Sequence, residues 1–290
     1  MKTLKTFALT TVFSVVTGGG SWLTGTDPHS RLPELELMAG GAAVAGAPAT
    51  PGRLVAYDPS GDGRAIEVFG DLATARHIAV LVPGTGWDLE KLIEGSRQAN
   101  PVDAAQRLLP VMKSMAPDAR TAVVVWLGYD APESIDRQAF RSERAIEGAD
   151  ALVGYVRTLP AGASITLVGH SYGSVVIGRA ASRLPQVSDI VALASPGMDA
   201  LSVADLGTGA RVWAARADDD PIEFTPHLRW IGYGHETDPI APEFGATVFR
   251  TGPVHGHGGY YSKGTECLDN LARIILGRAG EVTRVSSGLS

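Results

Sequence analysis

A serine flanked by glycines, Gly169-His170-Ser171-Tyr172-Gly173, stands where an apolar run over 164–168 gives way to a helical pattern over 172–183. Strand, G-x-S-x-G and helix in that order predict a nucleophile elbow. A turn this tight strains the serine backbone, and side chains at Gly169 or Gly173 would strike neighbouring elements. Its product is an exposed hydroxyl at a helix N-terminus, where the N–H of Tyr172 and the helix dipole stabilise negative charge on a tetrahedral intermediate. The plainer reading of the motif alone, a glycine-rich turn in a nucleotide-binding sheet, is disfavoured by the strand before it and the helix after it.

A serine hydroxyl is a weak nucleophile at neutral pH, so a base must accept its proton and a carboxylate must hold that base in the right tautomer. Around this kind of elbow the partners follow in the order acid, then histidine. After an apolar run over 211–215 come Asp218, Asp219 and Asp220, followed by Pro221. Three adjacent carboxylates cannot all face one site; Asp220 is the expected acid, and Asp218 and Asp219 are expected to be solvated loop residues. The base is expected in Val254-His255-Gly256-His257-Gly258-Gly259-Tyr260, with His257 preferred by its position nearer the last helix and His255 as the alternative. His170 is expected to pack beside the site, and His235 to line the pocket or shape a turn. A second oxyanion donor is expected from the loop Pro83-Gly84-Thr85-Gly86-Trp87, at the N–H of Thr85. A dinucleotide loop would need a third glycine where Leu89 stands, and no histidine spacing suits a metal, so neither cofactor nor metal is expected. Trp87, Tyr129 and Tyr260, on loops at the same sheet edge, are expected to bind substrate, with packing beneath those loops as the alternative.

These residues need a scaffold, and the alternation of apolar runs with helical patterns supplies one. Strands are expected at 54–58, 65–69, 77–82, 121–127, 164–168, 190–194, 211–215 and 247–250, the first two joined as an antiparallel hairpin. Helices are expected at 101–115, 142–158, 172–183 and 268–277, with Asn100 as an N-cap before Pro101. The fold class is therefore α/β: a mostly parallel eight-stranded sheet with helices on both faces. About fifteen residues separate Ser195 from Arg211, room for no more than a small cap over the site.

The chain has 290 residues, enough for one large domain, expected over 53–290. Lys2 and Lys5 precede an apolar stretch over 7–16, the order of a signal peptide too short to span a bilayer. With the Gly/Ala/Pro-rich segment 39–52, it makes 1–52 an expected leader and flexible linker; secretion or membrane association is the expectation, a cytoplasmic location the alternative. A net charge of −6 without a basic cluster argues against nucleic acid as a partner. The lone Cys267 allows no internal disulfide and reads as a buried apolar residue.

Several segments together resemble a family of actinobacterial α/β-hydrolases of unknown function, over about 79–277. They are Val80-Leu81-Val82-Pro83-Gly84-Thr85, Trp126-Leu127-Gly128-Tyr129-Asp130-Ala131-Pro132, Gly169-His170-Ser171-Tyr172-Gly173-Ser174, Ala194-Ser195-Pro196-Gly197 and Gly256-His257-Gly258-Gly259-Tyr260. The resemblance implies the α/β-hydrolase fold and a triad of Ser171, Asp220 and His257; it implies no substrate. The expected activity is cleavage of an ester-like bond in a small acyl substrate through an acyl-enzyme on Ser171. Acyl transfer at the same site, and a fold retained for binding alone, are the alternatives.

Overall fold

The computed structural model describes residues 49–95, 99–133, 143–224 and 235–285. Of the expected leader and linker over 1–52, residues 1–48 lie outside them. The end of the expected linker does not: the Gly52 N–H donates to the Glu67 carboxylate at 2.5 Å. Burial raises the Glu67 pKa, with that N–H acting against it.

Eight strands form one mixed sheet: β1 (Arg53–Asp58), β2 (Arg64–Gly70), β3 (His77–Val82), β4 (Thr121–Leu127), β5 (Ser164–His170), β6 (Val187–Leu193), β8 (Arg211–Ala215) and β10 (Thr247–Val248). Their spatial order is β1-β2-β4-β3-β5-β6-β8-β10. β2 pairs antiparallel with both β1 and β4, and every later pairing is parallel. The strand bearing Ser171 at its end, β5, therefore sits between β3 and β6, with its C-terminal edge beside those of its neighbours.

Two apolar clusters, one on each face, account for the near-continuous hydrophobic strands. In β3, Ile78, Val80 and Val82 enter one cluster while Ala79 and Leu81 enter the other, the alternation that a pleated strand imposes. The first face is covered by α3 (Glu143–Val156) and α4 (Tyr172–Ala180), the second by α2 (Pro101–Met115) and α5 (Glu266–Ile275). Asn100 caps α2 by accepting the Val102 N–H at 2.8 Å, and Thr265 caps α5 through the Leu268 N–H.

Besides shifts of a few residues at element ends, such as a 3-10 turn over Ala181–Arg183 where the sequence predicts the helix to continue, three features depart from the sequence-based expectation. A short helix, α1 (Leu89–Glu94), starts at Asp88, whose carboxylate accepts the Lys91 N–H, and ends at left-handed Gly95. The last strand stops at Val248; beyond it the Arg250 N–H donates to the Thr283 carbonyl and Phe249 bridges Arg284, so residues 283–285 run along the sheet edge. From the segment between Ser195 and Arg211, β7 (Gly197–Ala200) pairs with β9 (His235–Glu236), which comes after β8, in a second, two-stranded sheet. Among the described residues no helix is long and apolar enough to cross a membrane.

At the far end of β6 from the site, the fully buried Asp189 carboxylate takes two hydrogen bonds of 2.7 Å from Arg211 and one of 2.8 Å from the Trp213 indole. Asp189→Ala strands a buried indole N–H, so the urea midpoint should drop by the equivalent of about 2–3 kcal/mol with an unchanged m-value. An unshifted midpoint would show that the β6–β8 pairing does not need this bond.

Candidate active site

Ser171 carries φ 53° and ψ −127°, a region that L-residues with a side chain rarely hold, in the single residue between β5 and α4. Its surroundings hold it there. The Ser171 N–H donates to the Leu193 carbonyl at 2.9 Å, and the Ser174 hydroxyl lies 2.6 Å from the Ser171 carbonyl. A Cβ on Gly173 would come within 2.2 Å of the Val82 carbonyl oxygen, and one on Gly169 within 2.6 Å of Ser174 backbone atoms. Glycine is thus required at both positions by close approach.

The loop after β3 passes directly against this turn. A Cβ on Gly84 would lie 2.7 Å from the Ser171 Cβ and 3.0 Å from the Tyr172 backbone nitrogen. Thr85 follows, half-buried, beside the elbow. The loop after β4 braces it: the Tyr129 hydroxyl donates to the Pro83 carbonyl at 2.7 Å, and the Gly86 N–H donates to the Pro132 carbonyl at 2.6 Å.

The aspartate run after β8 divides into two arrangements. Asp219 accepts the Gly256 N–H at 2.7 Å and faces the His255 ring at 3.2 Å, in a pair whose side chains are 54% and 82% exposed. Asp220 is inaccessible to solvent and accepts the Nδ1–H of His257 at 2.8 Å. Because a carboxylate only accepts, the proton of the neutral His257 ring sits on Nδ1 and Nε2 keeps its lone pair, the tautomer a general base requires. Burial raises the Asp220 pKa; hydrogen bonds from His257, Tyr260 and the Ile222 N–H outweigh it, so the group stays below the usual carboxylate range and ionised.

His170 connects this pair to the elbow. Its Nε2–H donates to the His257 carbonyl at 2.6 Å, and the two rings lie 4.8 Å apart between centroids. Burial, and then the neighbouring His257, push the His170 pKa down to about 4. The ring is therefore a neutral support at physiological pH.

Trp87, Tyr129 and Tyr260, expected at the substrate, and Tyr172, expected at the oxyanion hole, are packed into the protein around the elbow. Tyr129, Tyr172, Tyr260 and Trp87 are all buried. Tyr129 stacks on Trp126; the Tyr172 hydroxyl accepts the Ala145 N–H at 3.1 Å; the Tyr260 hydroxyl donates to Asp220 at 2.5 Å. Loop placement could be read from sequence, but the direction of each side chain is set by packing. His235 likewise points inward: it is buried, bonded to Asp199 at 2.8 Å and set edge-on to Tyr172. Among the described residues no group of three or more His, Cys, Asp and Glu side chains is gathered for a metal.

A family profile described as alpha/beta hydrolase matches residues 58–230, most of the chain. The chain belongs to this family. An uncharacterized protein of Mycobacterium tuberculosis (strain ATCC 25618 / H37Rv) is 33% identical over 263 residues, covering 79% of this chain and 40% of the relative. The chain thus spans less than half the length of that relative. An uncharacterized protein of Mycobacterium bovis is 25% identical over 260 residues, covering 82% of this chain and 91% of its own length. Among solved structures, esterase PE8 superposes with a TM-score of 0.44 at 17% identity over 74% of this chain and 98% of that one. A CIB-like hydrolase from Thermoplasma acidophilum gives 0.48 at 14% identity, over 78% and 96%. The sheet order, the mixed strand directions and the serine at the end of β5 are those of an alpha/beta-hydrolase fold.

His170 also makes a testable contribution to stability. Its folded pKa of about 4 lies below the ordinary 6.5, so between these values the unfolded chain binds a proton that the folded chain refuses. Stability therefore falls as pH falls through that window, by up to about 3 kcal/mol from this group. Urea midpoints at pH 7.5 and 4.5 should converge in His170→Asn relative to wild type. An equal pH dependence in both proteins would assign the loss elsewhere.

Proposed function

We propose that this family member is a serine hydrolase that cleaves an ester-like bond in a small acyl substrate through a covalent acyl-enzyme on Ser171. The observation that carries the reading is the strained φ of Ser171 at the head of α4, next to His170, which bonds the backbone of a partly exposed His257 that in turn donates to the buried Asp220. Strain at one residue, with glycine clearances around it, is the backbone signature of a nucleophile elbow, although Ser171 is only 6% exposed rather than presented to solvent as the sequence suggests.

In this mechanism His257 Nε2 takes the Ser171 hydroxyl proton as Oγ forms a bond to the acyl carbon. The carbonyl π electrons move to oxygen, and the N–H groups of Tyr172 and Thr85 stabilise that oxyanion. Collapse of the intermediate breaks the bond to the leaving group, which takes the proton from His257. Water, deprotonated by the same Nε2, then repeats the sequence on the acyl-enzyme and releases the acid. Asp220 remains ionised throughout and stabilises the imidazolium that forms twice per turnover. Of the two histidines in the loop, His257 is favoured because its aspartate is buried, where an ion pair is screened far less than the exposed His255–Asp219 pair.

Labelling with a fluorophosphonate probe, peptide mapping and a panel of p-nitrophenyl esters test the reading. Modification should map to Ser171 alone. Ser171→Ala should abolish labelling and turnover with the fold intact, His257→Ala should lower kcat by about a thousandfold or more, and His255→Ala should leave it within about twofold. Folded wild-type protein that neither labels nor hydrolyses any ester would overturn the assignment, and turnover by Ser171→Ala would remove the nucleophile.

A further inference from the structure

The side chains around His257 close into a ring of contacts with one member that the mechanism above leaves unused. Asp220 Oδ1 accepts from His257 Nδ1 at 2.8 Å and from the Ile222 N–H at 2.9 Å; Oδ2 accepts from the Tyr260 hydroxyl at 2.5 Å. The Tyr260 oxygen in turn receives the Ala217 N–H at 2.9 Å. The Tyr260 ring stands edge-on to His170, 5.8 Å between centroids, and His170 donates to the His257 carbonyl. Tyr260 has no solvent exposure, and among the described residues its hydroxyl bonds Asp220 and the Ala217 N–H.

A buried phenol needs a hydrogen-bond partner, and many acceptors would serve. Placement on the second oxygen of this carboxylate has two further effects. A carboxylate held at both oxygens cannot rotate about its Cβ–Cγ bond, so Oδ1 stays aligned with the imidazole. A strong O–H donor also draws charge from the carboxylate, which weakens its hold on the imidazolium. We propose that Tyr260 is a positioning residue that fixes the orientation of Asp220 and tunes the basicity of His257. The inference rests on reading Ser171, His257 and Asp220 as one catalytic unit.

The other titratable groups here do not mimic this effect near neutral pH. Asp220 and His170 face the His257 ring, and His170 accepts its proton only near pH 4. His170 and the buried Cys267 thiol face Tyr260 in addition to Asp220. Burial raises the Cys267 pKa, and burial followed by Asp220 raises that of Tyr260, so both stay protonated throughout the range of the assay.

The test is the acid limb of kcat/KM against pH for a p-nitrophenyl ester, which reports protonation of the base in the free enzyme. In Tyr260→Phe the limb should move up by about 0.5–1 pH unit, with the plateau kcat down about tenfold and KM little changed. Site-specific 3-fluorotyrosine at position 260, a stronger donor of nearly the same shape, should move the limb down. A limb superimposable on wild type in Tyr260→Phe overturns the proposal whatever the plateau rate, since a purely structural role lowers activity without moving it. If Tyr260→Phe does not fold, the fluorotyrosine protein decides by the same criterion. Wild-type labelling at Ser171 with an unmoved limb strikes only the role of Tyr260, whereas absent labelling strikes the catalytic reading itself.

Discussion

A serine held at φ 53° is a backbone conformation that no local preference supports, so it persists only where neighbours on several sides over-determine it. β6 supplies an acceptor for its N–H, and Ser174 returns a hydroxyl to its carbonyl. That hydroxyl lies 2.7 Å from the Ser195 hydroxyl, which reaches the Gly197 backbone. The turn is thereby joined to the second sheet. Three glycines provide the clearance: Gly169 and Gly173 let strand and helix close on each other, and Gly84 lets the β3 loop lie against the turn. Much of the architecture serves that one residue, including the central place of β5 in the sheet.

Opposing electrostatic demands shape the opposite wall. A carboxylate without solvent would ordinarily be driven toward its neutral form. Asp220 escapes this because three donors converge on its two oxygens. His170 has the reverse solution: with its Nε2–H committed to a carbonyl and little room for charge, it stays neutral and acts as a strut. Burial has opposite chemical consequences at these two groups because their partners differ in kind.

A second buried histidine, His235, packs behind the elbow. Its bond to Asp199 is completed by an Arg179 Nε–H donated to the same carboxylate at 2.7 Å, and its ring meets the edge of Tyr172. Here Gly197 at φ 129° permits an approach that a side chain would forbid, since its Cβ would lie 2.1 Å from the His235 carbonyl oxygen. The pairing of β7 with β9 thus fastens the chain after β6 to the chain after β8, behind the helix that carries the elbow.

The sequence alone determined the eight-strand alternation, because strands buried on both faces must be apolar at nearly every position and the turns between them must carry glycine and proline. It also determined the elbow, since G-x-S-x-G between a strand and a helix has few other physical uses. It could not separate the aspartates or the histidines completely: Asp219 and Asp220 are adjacent and His255 and His257 two apart, so spacing permits either pairing, and only tertiary burial distinguishes the exposed pair from the enclosed one. The short strands β7 and β9 left no periodicity to read, being pairs of a few residues brought together across more than thirty positions. The aromatic side chains show the same division. Their loops were legible, but whether Tyr129 and Tyr260 face a substrate or the protein depends on which acceptors lie within reach, and those acceptors, a proline carbonyl and the Asp220 carboxylate, come from distant strand ends that only the folded sheet brings together.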